Sequence, residues 1–68
     1  MNEETLNIET RRFLKKVGIT AQREIEHAVE QAVAEGRLAG SERLEAKMTL
    51  EVPALGIRHV IEGTIALE

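Results

Sequence analysis

The sequence contains no cysteine, tryptophan, tyrosine or aspartate, and it has only one phenylalanine and one proline. Without cysteine there is no disulfide and no thiolate ligand for a metal ion. Because Phe13 is the only aromatic residue, there is no row of rings on which bases or sugars could stack. All acidic residues are glutamates, whereas calcium-binding loops rely on aspartate. We therefore expect no cofactor and no metal site.

The length and charge of the chain limit its architecture and its partners. Its 68 residues make one domain at most, predicted to span 1–68. A chain below about 70–80 residues rarely builds a sufficient core unless a disulfide, a metal or another chain assists it. The net charge of −3 argues against a nucleic-acid partner, because phosphates attract locally clustered Lys and Arg. No apolar run approaches a membrane span, and the acidic start lacks the apolar region of a secretory signal, so we expect a cytoplasmic protein.

The first part of the chain has the apolar spacing of an amphipathic helix. The pattern predicts a helix over about 3–17, with Asn2 or Thr5 as its N-cap. Ile8 falls outside the apolar stripe of this helix. We therefore regard Ile8 as a candidate contact with another chain.

Two glycines divide the next part of the chain. Gly18 is a typical helix stop, and Thr20 is a typical N-cap, so together they predict a second helix over about 21–35. Gly36 ends that helix, and a linker over 36–42 follows. The N-terminal half is therefore predicted to be an αα-hairpin.

Two strictly alternating runs of apolar and polar residues follow, over about 43–52 and 57–67. Such alternation is typical of strands that turn one face to a core. A four-residue loop at 53–56 joins them into an antiparallel hairpin, whose apolar pattern sets its register. On the inner, apolar face the predicted pairs are Leu44 with Ile65, Ala46 with Gly63, Met48 with Ile61, Leu50 with His59 and Val52 with Ile57. On the outer, polar face they are Glu45 with Thr64, Lys47 with Glu62, Thr49 with Val60 and Glu51 with Arg58.

The predicted fold class is therefore α+β with the order ααββ. A lone two-stranded ribbon is marginally stable, and both of its edges carry unpaired backbone groups. No proline interrupts either strand to protect an edge. We expect a homodimer in which strand edges join to form a four-stranded sheet with the helices on one face.

His59 is the one polar side chain on the predicted apolar face of the hairpin. We interpret it as a partly buried histidine. The alternatives are a pH-sensitive role, an interface hydrogen bond, or a metal or small-molecule site beside the shallow notch that the small residues Ala46 and Gly63 leave on the inner face. Ser41, the only serine, lies in the linker, so no Ser-His-acid arrangement is expected. We therefore predict no catalytic residues and no enzymatic activity.

One basic cluster lies in the first predicted helix and consists of Arg11, Arg12, Lys15 and Lys16. These charges suit the negative end of that helix, and phosphate contact is the alternative. Helix, turn, helix and hairpin would also be the order of a winged helix-turn-helix protein. Against DNA binding, the second predicted helix carries carboxylates that phosphates would repel: Glu24, Glu26, Glu30 and Glu35.

The stretches 13–20 and 47–52, FLKKVGIT and KMTLEV, resemble a group of short bacterial proteins of unknown function. The resemblance implies no activity and transfers no functional residue. Our leading hypothesis is a small, non-enzymatic, homodimeric interaction module, and the alternative is a nucleic-acid-binding protein of the helix-turn-helix type. The candidate interaction residues are His59, Ile8, Arg11, Arg12, Lys15 and Lys16.

Overall fold

The computed structural model describes all 68 residues and consists of one long helix and one β-hairpin. The chain divides into two units, Met1–Arg37 and Leu38–Glu68. The α+β class is confirmed, while the single domain over 1–68 stays a prediction. The elements are the helix α1, Glu3–Ala34, the strand β1, Arg43–Val52, a short 3-10 turn, Pro53–Leu55, and the strand β2, Ile57–Ala66.

The predicted αα-hairpin is wrong, because α1 runs without interruption through Gly18. A glycine that stops a helix adopts a left-handed conformation, but positive φ angles occur only at Gly36, Gly40 and Gly56. Thr20, the predicted second N-cap, lies inside the helix. A glycine in a helix interior costs only about 0.5–1 kcal/mol relative to alanine, so it weakens a helix without ending it.

The apolar stripe of α1 explains why the helix continues. Leu6, Val17 and Ala28 are spaced eleven residues apart, and Leu14 and Ile25 have the same spacing. Eleven residues correspond to about three turns, since the resulting period of about 3.67 is close to the 3.6 residues of an α-helix. The apolar residues before and after Gly18 therefore share one face of an unbroken helix.

The N-terminus of α1 is capped by Asn2, one of the two residues predicted for this position. The side chain of Asn2 accepts a hydrogen bond of 3.1 Å from the backbone N–H of Thr5. Glu3 and Glu4 lie in the first turn, where negative charge complements the positive end of the helix dipole. Asn2 is therefore the N-cap, and Thr5 is its partner.

α1 ends at Ala34, and Gly36 follows as the helix stop, as predicted. Gly36 has a φ of 79°, and its N–H donates to the carbonyl of Val33 at 3.1 Å. The N–H of Arg37 donates to the carbonyl of Ala32 at 2.8 Å. These two bonds form a Schellman motif, which satisfies carbonyls that have no partner within the helix.

The predicted register of the hairpin is confirmed for every pair, including Leu50 with His59. β2 ends at Ala66, one residue before its predicted end. The turn closes with Gly56, whose φ is 65° and whose N–H donates to the carbonyl of Pro53 at 3.1 Å.

Two cross-strand ion pairs also support this register. Lys47 Nζ lies 3.8 Å from Glu62 Oε1, and Arg58 Nε lies 3.8 Å from Glu51 Oε1. All four side chains are exposed, so each pair contributes modestly to stability. Their main effect is on specificity, because a one-residue slip would separate the charges and turn the apolar face to water.

Little of the chain is buried. Ala32, which is 5 % exposed, is the only buried residue of α1, and no residue of 38–68 is buried. Large apolar side chains such as Phe13 on α1 and Ile61 on β2 are 53 % and 54 % exposed. No stretch of α1 is apolar enough to cross a membrane. Each of the two units thus presents an apolar surface to solvent.

Candidate interaction surfaces

The basic cluster lies on α1 beside the off-stripe isoleucine. Ile8, Arg11, Arg12 and Lys15 line one open depression on the helix surface, whereas Lys16 does not line it. The helical spacing explains this arrangement, because residues three and four apart are neighbours on a helix surface. The structure therefore brings four of the six predicted interaction residues together.

The charge of this cluster is partly balanced. Arg12 Nη1 lies 3.1 Å from Glu9 Oε1, one turn earlier, while the other three basic side chains form no ion pair. The helix-turn-helix alternative required a turn between two helices, and α1 has none. That architecture is wrong, whereas nucleic-acid binding by Arg11, Arg12, Lys15 and Lys16 stays a prediction.

His59 lies opposite Leu50, as predicted, but it is exposed rather than partly buried. No hydrogen bond to its side chain is present. No group of three or more His or Glu side chains lies close enough together to hold a metal ion. A role for His59 in ligand binding stays a prediction.

The Ala46–Gly63 pair has the expected space around it. A Cβ atom added to Gly63 would meet nothing within 4 Å. Ala46 and Gly63 contribute to an open depression of about 370 Å³, which also involves four outer-face residues: Glu45, Lys47, Glu62 and Thr64. This depression therefore opens on the polar face and is distinct from the predicted notch on the apolar face.

The hydrogen-bond pattern of the hairpin identifies the backbone groups at its edges. The N–H of Leu67 donates to the carbonyl of Glu42 at 3.0 Å, so this position is a hydrogen-bonded pair. Such pairs alternate with pairs whose backbone groups point away from the partner strand. Residues of the outer face consequently direct their N–H and C=O groups to the edges. On β2 these residues are Arg58, Val60, Glu62 and Thr64, and on β1 they are Glu45, Lys47, Thr49 and Glu51.

The two strands differ in how much of their apolar surface is exposed. On the inner face of β1, most side chains are half-buried. On β2, Ile57 and Ile61 of the inner face are exposed, and so is Val60, the apolar residue at the middle of the outer face. Because the sheet has only two strands, β2 combines an unpaired edge with exposed apolar side chains.

Glu42 organises the segment before β1, and sequence reasoning did not single it out. Its carboxylate accepts hydrogen bonds from the backbone N–H groups of Ala39, Gly40 and Ser41, at 2.7, 2.9 and 3.1 Å. These bonds, chiefly those from Ala39 and Gly40, hold the pKa of Glu42 below its ordinary value. The sequence signal for this arrangement was Gly40, since a glycine readily adopts positive φ. Its φ of 99° helps adjacent N–H groups converge on one anion.

One long helix followed by a two-stranded antiparallel hairpin defines an α+β chain with two exposed apolar surfaces. Residues 1–68 match the family described as "Family of unknown function (DUF6494)", so the chain belongs to this family. The resemblance to short uncharacterised proteins is thereby confirmed. Comparison with curated proteins and with solved structures found no match.

Proposed function

We propose that this chain is a small, non-enzymatic interaction module that functions as a homodimer. The observation that carries the proposal is the lack of a core, since Ala32 is the only buried residue. Apolar burial stabilises a fold by about 25 cal/mol per Å². A single helix and a two-stranded hairpin gain little of this energy on their own, so another chain has to supply the rest.

The shapes of the surfaces support binding rather than catalysis. Small-molecule and catalytic sites are usually concave clefts that enclose most of a ligand. The depressions beside Arg11 on α1 and beside Glu62 on the hairpin are both open. A cytoplasmic location stays a prediction alongside this proposal.

A second copy of the chain suits these surfaces better than an unrelated partner does. Most soluble oligomers are homo-oligomers, and two-fold dimers are the commonest among them. An unpaired strand edge can be completed by the same edge of another copy, which converts two ribbons into one four-stranded sheet. Such a sheet would also give the exposed apolar side chains of β2 a partner surface.

Sedimentation equilibrium over a range of concentrations tests the proposal. We expect a dimer at tens of micromolar chain, and a monomer throughout that range would contradict the proposal. A second readout is the urea midpoint of unfolding, which should rise with chain concentration because dimerisation stabilises the folded state by mass action. A midpoint independent of concentration would indicate that each chain folds alone.

A further inference from the structure

We propose that two copies join along β2, antiparallel, in the register that sets Val60 opposite Val60 of the second copy. The same register sets Arg58 opposite Glu62 of the second copy, twice by symmetry. This inference rests on the proposed homodimer and specifies its interface. The two strand edges then form the centre of a four-stranded antiparallel sheet.

The direction of the backbone groups at the edge of β2 limits the possible registers. At the outer edge of β2, the residues with outward N–H and C=O groups are Arg58, Val60, Glu62 and Thr64. A ladder between two β2 strands forms only when these residues pair with one another. Such pairing also keeps the apolar side chains of both copies on one face of the sheet.

The charges on the outer face distinguish these registers from one another. Among the allowed registers, only the proposed one sets Arg58 opposite Glu62. Neighbouring registers set Glu62 opposite Val60 or Arg58 opposite Val60, and the next ones set like charges opposite each other. Directly opposed unlike charges stabilise a strand pair and like charges destabilise it, so the charges select the proposed register.

The ion pairs within each copy continue this charge pattern over all four strands. Within each copy, Lys47 pairs with Glu62 and Glu51 pairs with Arg58, each at 3.8 Å. Joining the copies places Lys47, Glu62, Arg58 of the second copy and Glu51 of the second copy in one row. The signs alternate along this row, and its symmetry mate repeats the pattern. Every charge in the two rows therefore has an opposite charge on each neighbouring strand.

The two edges of the hairpin differ in the apolar surface that a dimer would bury. The edge of β1 also offers a complementary register, with Lys47 opposite Glu51 of the second copy. Its central pair would be Thr49 with itself, whereas the β2 edge places Val60, which is 47 % exposed, against itself. The β2 edge also brings Ile61 beside His59 of the second copy, which covers an exposed apolar side chain. Burial of apolar surface therefore favours β2.

Two charge reversals test this register. Arg58→Glu and Glu62→Arg each place like charges opposite each other at two symmetric positions. We expect each variant alone to show a dimer Kd raised by about tenfold or more, since each opposed pair changes from attraction to repulsion. In an equimolar mixture, both contacts across the two-fold axis again join opposite charges. The mixed dimer should therefore recover most of the wild-type affinity, measured by sedimentation with one variant fluorescently labelled.

Lys47→Glu is the matched control, because it breaks the same kind of ion pair within one copy but does not face the second copy across the β2 edge. It should change the dimer Kd far less than either reversal does, and far-UV circular dichroism should show that all variants fold. If the wild type dimerises but both reversals dimerise equally well, alone and mixed, the inference is overturned and the dimer stands. If Lys47→Glu alone abolishes the dimer, the β1 edge is the interface, which also overturns it. A monomeric wild type would instead refute the proposed function.

Discussion

Replacing Gly18 with alanine tests the continuous helix most sharply, because the two architectures predict opposite signs. In an unbroken helix, alanine stabilises the fold by about 0.5–1 kcal/mol per chain relative to glycine. The structure adds no steric cost, since a Cβ atom at Gly18 meets nothing within 4 Å. If Gly18 ended a first helix in the left-handed conformation, the same change would cost about 1–2 kcal/mol.

Thermal unfolding followed by circular dichroism at one fixed chain concentration provides the assay. For a chain of this size, 1 kcal/mol corresponds to a shift in Tm of about 4–8 °C. We expect Gly18→Ala to raise the Tm by a few degrees. Gly36→Ala is the matched control and should lower it, because Gly36 has a φ of 79°. A lower Tm for Gly18→Ala would refute the continuous helix.

Two further predictions concern the ends of elements. Asn2→Ala should destabilise the chain by about 1 kcal/mol through loss of the N-cap, whereas Asn2→Asp should retain stability; equal Tm values for all three proteins would contradict the cap. The amide proton shifts of Ala39 and Gly40 should titrate with the Glu42 carboxylate at a pKa below the ordinary value of a glutamate. Because the folded pKa is lowered, the contribution of Glu42 to stability is present above the unfolded pKa and is lost as the pH falls through the folded value. A titration midpoint at or above the ordinary glutamate value would contradict this hydrogen-bond arrangement.

The hairpin was predictable because several local signals agreed. Strict alternation defines the two faces of a strand, and the loop at 53–56 leaves one register that keeps the apolar residues together. The charges of Glu51 and Lys47 select the same register independently. Alternation also placed His59 opposite Leu50, but it could not predict that His59 is exposed, since exposure depends on what covers the face.

The helical half was not predictable in the same way, because local and longer-range signals disagreed. Gly18 followed by Thr20 is a strong local signal for a stop and a new cap. The eleven-residue spacing from Leu6 through Val17 to Ala28 indicates one continuous face. The structure follows the spacing, because the free energy that an interior glycine costs is small compared with what a continuous helix gains.

The ordered turn before β1 could not be predicted from composition. The composition around Gly40 indicates a flexible linker, but the Glu42 carboxylate collects three backbone N–H groups there. Sequence patterns report which residues favour a turn, whereas a side chain that closes a turn becomes visible only from the geometry. The structure places Ile8, Arg11, Arg12 and Lys15 on one face of α1, and their role in an interaction stays a prediction.

Disulfide trapping of Val60→Cys tests most directly whether two copies join along β2. The native chain has no cysteine, so a single introduced thiol reports one contact. In the proposed register the two residues at position 60 form a hydrogen-bonded pair, whose Cα separation of about 5.5 Å lies within the range that a disulfide spans. We expect rapid formation of a covalent dimer under mild oxidation. Thr49→Cys, opposite Val60 on the neighbouring strand, should remain largely uncrosslinked. Trapping through position 49 in place of position 60 would contradict the account.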